Sequence, residues 1–146
     1  MIFTTINPRD VTGFPYSSVP SSRARRRTGA VISTLAILFL LFDAAGKLMR
    51  VPQVLESSAQ LGYPESSVPV IGAILLLCVA AYALPRTALL GAILLTGYLG
   101  GAVAAQLRVG NPLLTHILFP VYLGALIWGG LLLGEDRLRA LVPVRR

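Results

Sequence analysis

"FLLFDAAGKLMR", residues 39–50, ends an apolar run with an acid, Asp43, and a base, Lys47. The run before it, 29–42, is too short to cross a membrane alone. At about 1.5 Å per residue it covers roughly two-thirds of a hydrocarbon core about 30 Å thick. A span here must continue through both charges to about Met49. Spacing of four puts the two side chains on one helix face, acid before base, the better order for a helical ion pair. A charge in this layer costs about 2.5–3.5 kcal/mol on insertion scales, so such residues face a bundle interior or a wet cavity and pair there. The bland alternative has Lys47 snorkelling to the outer headgroups with Asp43 as a neutral or paired passenger.

Outward from this stretch the chain is apolar almost throughout. Of its 146 residues 55% are hydrophobic and 13% charged, with a mean hydropathy of +0.73, far from the balance of a water-soluble domain. Stretches free of charge at 29–42, 66–85, 87–107 and 109–134 have the spacing of helical spans rather than barrel strands. The expected fold is all-α: an integral membrane up-down four-helix bundle with spans near 29–49, 67–84, 87–107 and 113–133. These form one membrane domain, 29–141, between a flexible N-terminal tail, 1–28, and a basic C-terminal tail, 142–146. Reading the first run as a signal peptide is opposed by the Asp beside its supposed cleavage site. A single cysteine, Cys78, rules out an intrachain disulfide or Cys-x-x-Cys pair. The sequence offers no metal-ligand cluster, P-loop or dinucleotide fingerprint, and no metal is expected.

The net charge of +7 would suggest nucleic acid in a soluble protein, but here the arginines lie at helix ends. "RARRR", 23–27, precedes the first span, Arg86 separates the second from the third, and Arg137, Arg139, Arg145 and Arg146 follow the fourth. The opposite side receives only Lys47, Arg50 and Arg108. The positive-inside bias places both termini in the cytoplasm, with the chain in the cell inner membrane and the lipid bilayer as its first partner. A short basic run beside a span is an orientation signal or an anionic-lipid contact, so nucleic acid is not an expected partner.

The long first connection, "RVPQVLESSAQLGYPESS", divides into a short helix started by Pro52 and ended near Gly62, then a Tyr-Pro turn. Val51, Val54, Leu55, Ala59 and Leu61 give that helix a weak apolar stripe, as for one lying on the outer interface. At "RVGNP", Gly110 can close the third helix and Asn111 can cap the fourth. With this topology Asp43 and Lys47 end the first helix on the outer side, Gln106 and Arg108 end the third, and Asn111, Thr115 and His116 open the fourth. Asp43, Lys47, Gln106, Arg108 and His116 are therefore the candidate polar pocket, in the outer half of the bundle. The inner half offers little beyond Tyr82 and Thr87.

Pro120 lacks an N–H and leaves the carbonyl of His116 without its helical partner, which predicts a kink in the fourth helix beside the only imidazole. Gly97-x-x-x-Gly101, continuing to Ala105, lets backbones approach closely. Its expected use is packing inside the bundle, with homodimerisation as the alternative. Tyr98 and Tyr122 can turn hydroxyls towards the cavity, and Trp128 reads as an anchor or packing residue near the inner leaflet.

Several of these pieces carry a family resemblance: Gly-Lys after the first span, the Gly-Tyr-Pro turn, "PRTALLGAILLTGYLGGAVA", and His116 followed by "FPVY". From about Val31 to Leu141 the sequence resembles the DoxX-like membrane proteins. The resemblance implies a compact four-helix membrane protein. Some such relatives are linked to thiosulfate:quinone oxidoreductases or membrane redox complexes, and others act in assembly. It supplies no catalytic residue. Two functions follow as expectations. In the first, the chain is an accessory subunit of a quinone- or sulfur-linked redox system. The pocket would then bind a quinone headgroup or a small sulfur or phenolic substrate, Lys47 and Arg108 would hold its polar end, and His116 would exchange a proton. Electrons would need a redox partner protein, so the chain is not expected to be a complete enzyme alone. In the second, it is an assembly protein whose polar cluster is a structural lock. A transporter is disfavoured, because four helices enclose little volume and no inverted repeat is visible.

Overall fold

The computed structural model describes residues 22–134. Most of the expected N-terminal tail and all of the C-terminal tail, 142–146, lie outside them. Helix α1 runs Ser22–Leu48, so it starts before Gly29 and includes the arginine run. The local reason is propensity: Arg and Ala are strong helix formers, and no Pro or Gly falls between Ser22 and Thr28. It closes with Val51 N–H donating to the Gly46 carbonyl at 3.1 Å and Arg50 N–H to that of Lys47 at 3.3 Å. In this arrangement the residue after the last turn turns left-handed. That residue is Arg50, with φ +52°.

Helix α2, Pro52–Gln60, is the expected interfacial helix. Val54, Leu55, Ser58 and Leu61 are half-buried while Ala59 is exposed, so Ser58 replaces Ala59 on its inward face. Gly62 ends it at φ +78°. A single 3-10 turn, Glu65–Ser67, leads into α3, Val68–Ala83. The short link at Pro85 and Arg86 makes α4, Ala88–Arg108, the antiparallel neighbour of α3. Gly110 closes α4 at φ +71°. Asn111 caps nothing: its side chain folds back onto the Gln106 side-chain oxygen, and Pro112 precedes the next turn. The fourth span is interrupted. Leu113–Ile117 form one π-helical turn, and regular α-helix resumes as α5, Phe119–Gly134. The break falls where Pro120 denies the preceding turn a donor.

Helix α1 packs on α3 and α5, and α4 packs on the same two, closing a ring of four. Its interior is narrow and apolar: Ala36, Leu40, Ala44, Leu75, Val79, Ala92, Leu95 and Ile127 are essentially inaccessible. No polar or charged residue among those described is fully buried. The outside is apolar too. Phe42 is 81% exposed and Leu77 71%, with Val31, Leu35, Val70 and Leu114 also uncovered. Such a surface is intelligible only against hydrocarbon, and all four long helices have the length and composition to cross a membrane. Close helix approach occurs at Gly72, which packs on Ala44 and Lys47 of α1, and at the end where α1 begins. A Cβ on Gly91 would lie 2.2 Å from the Tyr82 nitrogen, and one on Gly130 would lie 2.4 Å from Ser33 Oγ. The resulting seam is tied by side chains: the Tyr82 hydroxyl donates to the Ile127 carbonyl at 2.9 Å and meets Ser33 Oγ at 3.0 Å. Trp128 is a packing residue, its indole N–H donating to Thr96 Oγ1 at 2.9 Å.

Candidate functional site

At the opposite end, where α1, α2 and α4 all finish, the helices enclose a cavity of about 450 Å³. That volume is in the range of small-molecule sites. Its wall is mainly apolar, with Leu40, Ile71, Ile74 and Leu123 among its lining residues. Six polar side chains interrupt it: Asp43, Lys47, Ser58, Tyr63, Tyr98 and Gln106. Helix ends position most of these groups. Lys47 lies in the last turn of α1, Tyr63 directly after the left-handed Gly62, and Gln106 in the turn of α4 closed by Gly110. Ser58 is spoken for, its hydroxyl donating to the Val54 carbonyl at 2.7 Å.

Asp43 and Lys47 form an ion pair within α1. Their side chains are 35% and 16% exposed, so the base is the more covered of the two. One carboxylate oxygen and one ammonium proton are committed to each other. The ammonium keeps further N–H donors and the carboxylate a further acceptor. Gln106 accepts through its Oε1 from the Asn111 amide, which leaves the Gln106 side-chain amide nitrogen as a donor. Among the described residues no three His, Cys, Asp or Glu side chains gather where they could share a metal ion.

Two of the residues singled out from sequence lie elsewhere. Arg108 is exposed and donates to the Leu61 carbonyl, clipping the end of α2 to the end of α4. A carbonyl at a helix C-terminus is a natural partner for a cation. His116 is also exposed, with its Nδ1 2.8 Å from the Thr115 hydroxyl, and is absent from the cavity wall. The π-helical turn accounts for this, because it fixes the register of 113–117 while Phe119, Pro120 and Leu123 face the cavity instead.

The small-residue stripe is found in the same wall. Gly97, Gly101 and Ala105 line the cavity, and nothing lies within 4 Å of a Cβ built on Gly97 or Gly101. These glycines hold space open; the close contacts between helices are made by Gly29, Gly72, Gly91 and Gly130. Sequence reasoning missed Ser58, Tyr63 and the aromatic pair at the lip. Phe39 and Phe119 meet edge to face, centroids 5.5 Å apart. Both line the cavity while staying 44% and 46% exposed.

No curated protein and no solved structure matches the chain. The model of the DoxX-like family matches residues 31–130, a stretch that contains every lining residue of the cavity. The chain is a multi-pass membrane protein and belongs to the DoxX-like family.

Proposed function

We propose that the cavity takes the polar head of an uncharged, lipid-like molecule, with a quinone as the best fit, and that the protein is an accessory subunit of a membrane redox system. The observation that carries this reading is the composition of the wall. Asp43 and Lys47 cancel each other, so a charged head would enter an apolar cavity with no free counter-charge, at a cost of several kcal/mol. Donors outnumber acceptors among the remaining groups, counting the Lys47 ammonium, the Gln106 amide and the hydroxyls of Tyr63 and Tyr98. Quinone carbonyls are neutral acceptors and suit such a wall, whereas a small sulfur anion does not. Entry from the bilayer would pass between Phe39 and Phe119. The chain has one cysteine, so electrons exchanged with a bound quinone come from a partner protein. The outer half of an inner membrane, with both termini cytoplasmic, is the placement that the distribution of arginines favours.

The test is purification from native membranes followed by extraction of bound small molecules, for the wild type and for a Gly101→Leu variant that fills the cavity. The expected result is a quinone with the wild type and at least a ten-fold lower yield with the folded variant. Recovery of a stoichiometric protein partner with no quinone in either preparation overturns the reading in favour of an assembly role. In that case the Asp43–Lys47 pair is a structural lock.

A further inference from the structure

A second cavity, of about 350 Å³, lies at the other end of the bundle, between α1 and the ends of α3 and α5. Its wall has two halves. Arg26 stands at one end, and below it Ala30, Thr34 and Ile37 follow on the same face of α1, at helical spacings of four, eight and eleven residues. Arg26 to Ile37 covers about 16 Å along the axis. The inner side is closed: Gly29 of α1 packs against Gly130 of α5, and the Ser33 and Tyr82 hydroxyls are engaged with each other and with the Ile127 carbonyl. The groove thus offers one cation at its mouth and an apolar track behind it.

Among the described residues the charge around the mouth is of one sign. Because α1 is helical from Ser22, Arg23, Arg25, Arg26 and Arg27 stand at fixed angles on it, and Arg86 joins them from the link between α3 and α4. The acids among the described residues, Asp43, Glu56 and Glu65, all belong to the opposite end. The Nε of Arg25 is buried without a hydrogen-bond partner among the described residues. Glu135 and Asp136 follow α5 in sequence, yet Arg137 and Arg139 come directly after them. Juxtamembrane arginines beside a groove between helices attract anionic lipid headgroups.

We propose that this groove binds one anionic phospholipid, its phosphate held by Arg26 and one acyl chain laid along Ala30, Thr34 and Ile37. The site is separate from the quinone cavity, and either assignment can fail without the other. The experiment is native mass spectrometry of the full chain, released from detergent after incubation with phosphatidylglycerol or with phosphatidylcholine of the same acyl chains. One phosphatidylglycerol per chain is expected to be retained, and phosphatidylcholine at least ten-fold less. Arg26→Gln should lose that preference, Arg26→Lys should keep most of it, and Arg27→Gln, about 100° around the helix, should behave as wild type. Thr34→Phe, which keeps every charge but blocks the track, should lower retention as far as Arg26→Gln does. Glycerol phosphate in hundred-fold excess should not displace the lipid. Equal retention of the two lipids overturns the proposal, as does an equal effect of Arg26→Gln and Arg27→Gln. Displacement by glycerol phosphate also overturns it, marking a site for free anions.

Discussion

At the scale of single residues the decisive pair is Asp43 and Lys47. Removing one partner of a partly buried ion pair leaves the other charge uncompensated, whereas removing both restores a neutral wall. Asp43→Asn is therefore expected to destabilise the protein, and Asp43→Asn with Lys47→Met to recover part of the loss. The coupling from a double-mutant cycle, read from unfolding in mixed micelles, should be about 1 kcal/mol. A cycle that closes additively shows that the two side chains do not act as a pair. Arg50 gives a prediction of opposite sign. It holds a left-handed backbone, φ +52°, where a Cβ costs roughly 1–2 kcal/mol and where glycine is the usual occupant of such a helix end. Arg50→Gly should raise the midpoint of thermal unfolding, and a midpoint lowered by the change would mean that the guanidinium contributes more than its backbone costs.

Among the elements, α2 has the fewest anchors. It contains no buried residue, so the clip from Arg108 to the Leu61 carbonyl holds a disproportionate share of it in place. In Arg108→Ala, hydrogen exchange across Pro52–Leu61 should quicken by about ten-fold while α3 and α4 keep their protection. Unchanged exchange in α2 would assign its position to the turn at Gly62 alone. The four spans and the short interfacial helix were legible in the sequence because length, hydropathy and turn residues each mark a boundary locally. The wall of the cavity was legible only in part. Asp43, Lys47 and Gln106 could be assigned from depth and face, but His116 could not, since Pro120 announces a break without stating that a π-helical turn will reset the register of 113–117. The stripe Gly97, Gly101 and Ala105 failed for a related reason. Small residues at spacing four allow a close approach, and the same absence of side chains makes a void when no neighbour comes near. Spacing alone does not say which face is met, and here Gly91 and Gly130 receive the contacts. Arg108 stands in the last turn of α4, while its partner, a carbonyl contributed 47 residues earlier, is a tertiary fact.

For the whole molecule, Gly29, Gly91, Gly130 and the Tyr82 hydroxyl cluster tie the helices at the end where α1 begins, Gly72 packs on α1 at the other end, and the larger of the two cavities sits where α1 finishes. The same polarity runs through the charges. Arg23, Arg25, Arg26, Arg27 and Arg86 flank the end where α1 begins, whereas Lys47, Arg50 and Arg108 flank the end where it finishes. Lys and Arg near the span ends set orientation by their number while acids contribute little, so five basic residues against three favour the cytoplasm for the end where α1 begins. A reporter that works only outside the cytoplasm should be active when inserted at Gly110 and silent at Arg86 or after Arg146. Replacing Arg23, Arg25, Arg26 and Arg27 with Gln should produce a mixed population, whereas Lys47→Met with Asp43→Asn should leave the orientation as it is, since it only lowers the basic count at the end where α1 finishes. Activity of the reporter after Arg146 in the wild type would invert the molecule. The cavity would then face the cytoplasmic leaflet, and a quinone-linked partner would have to dock from that side.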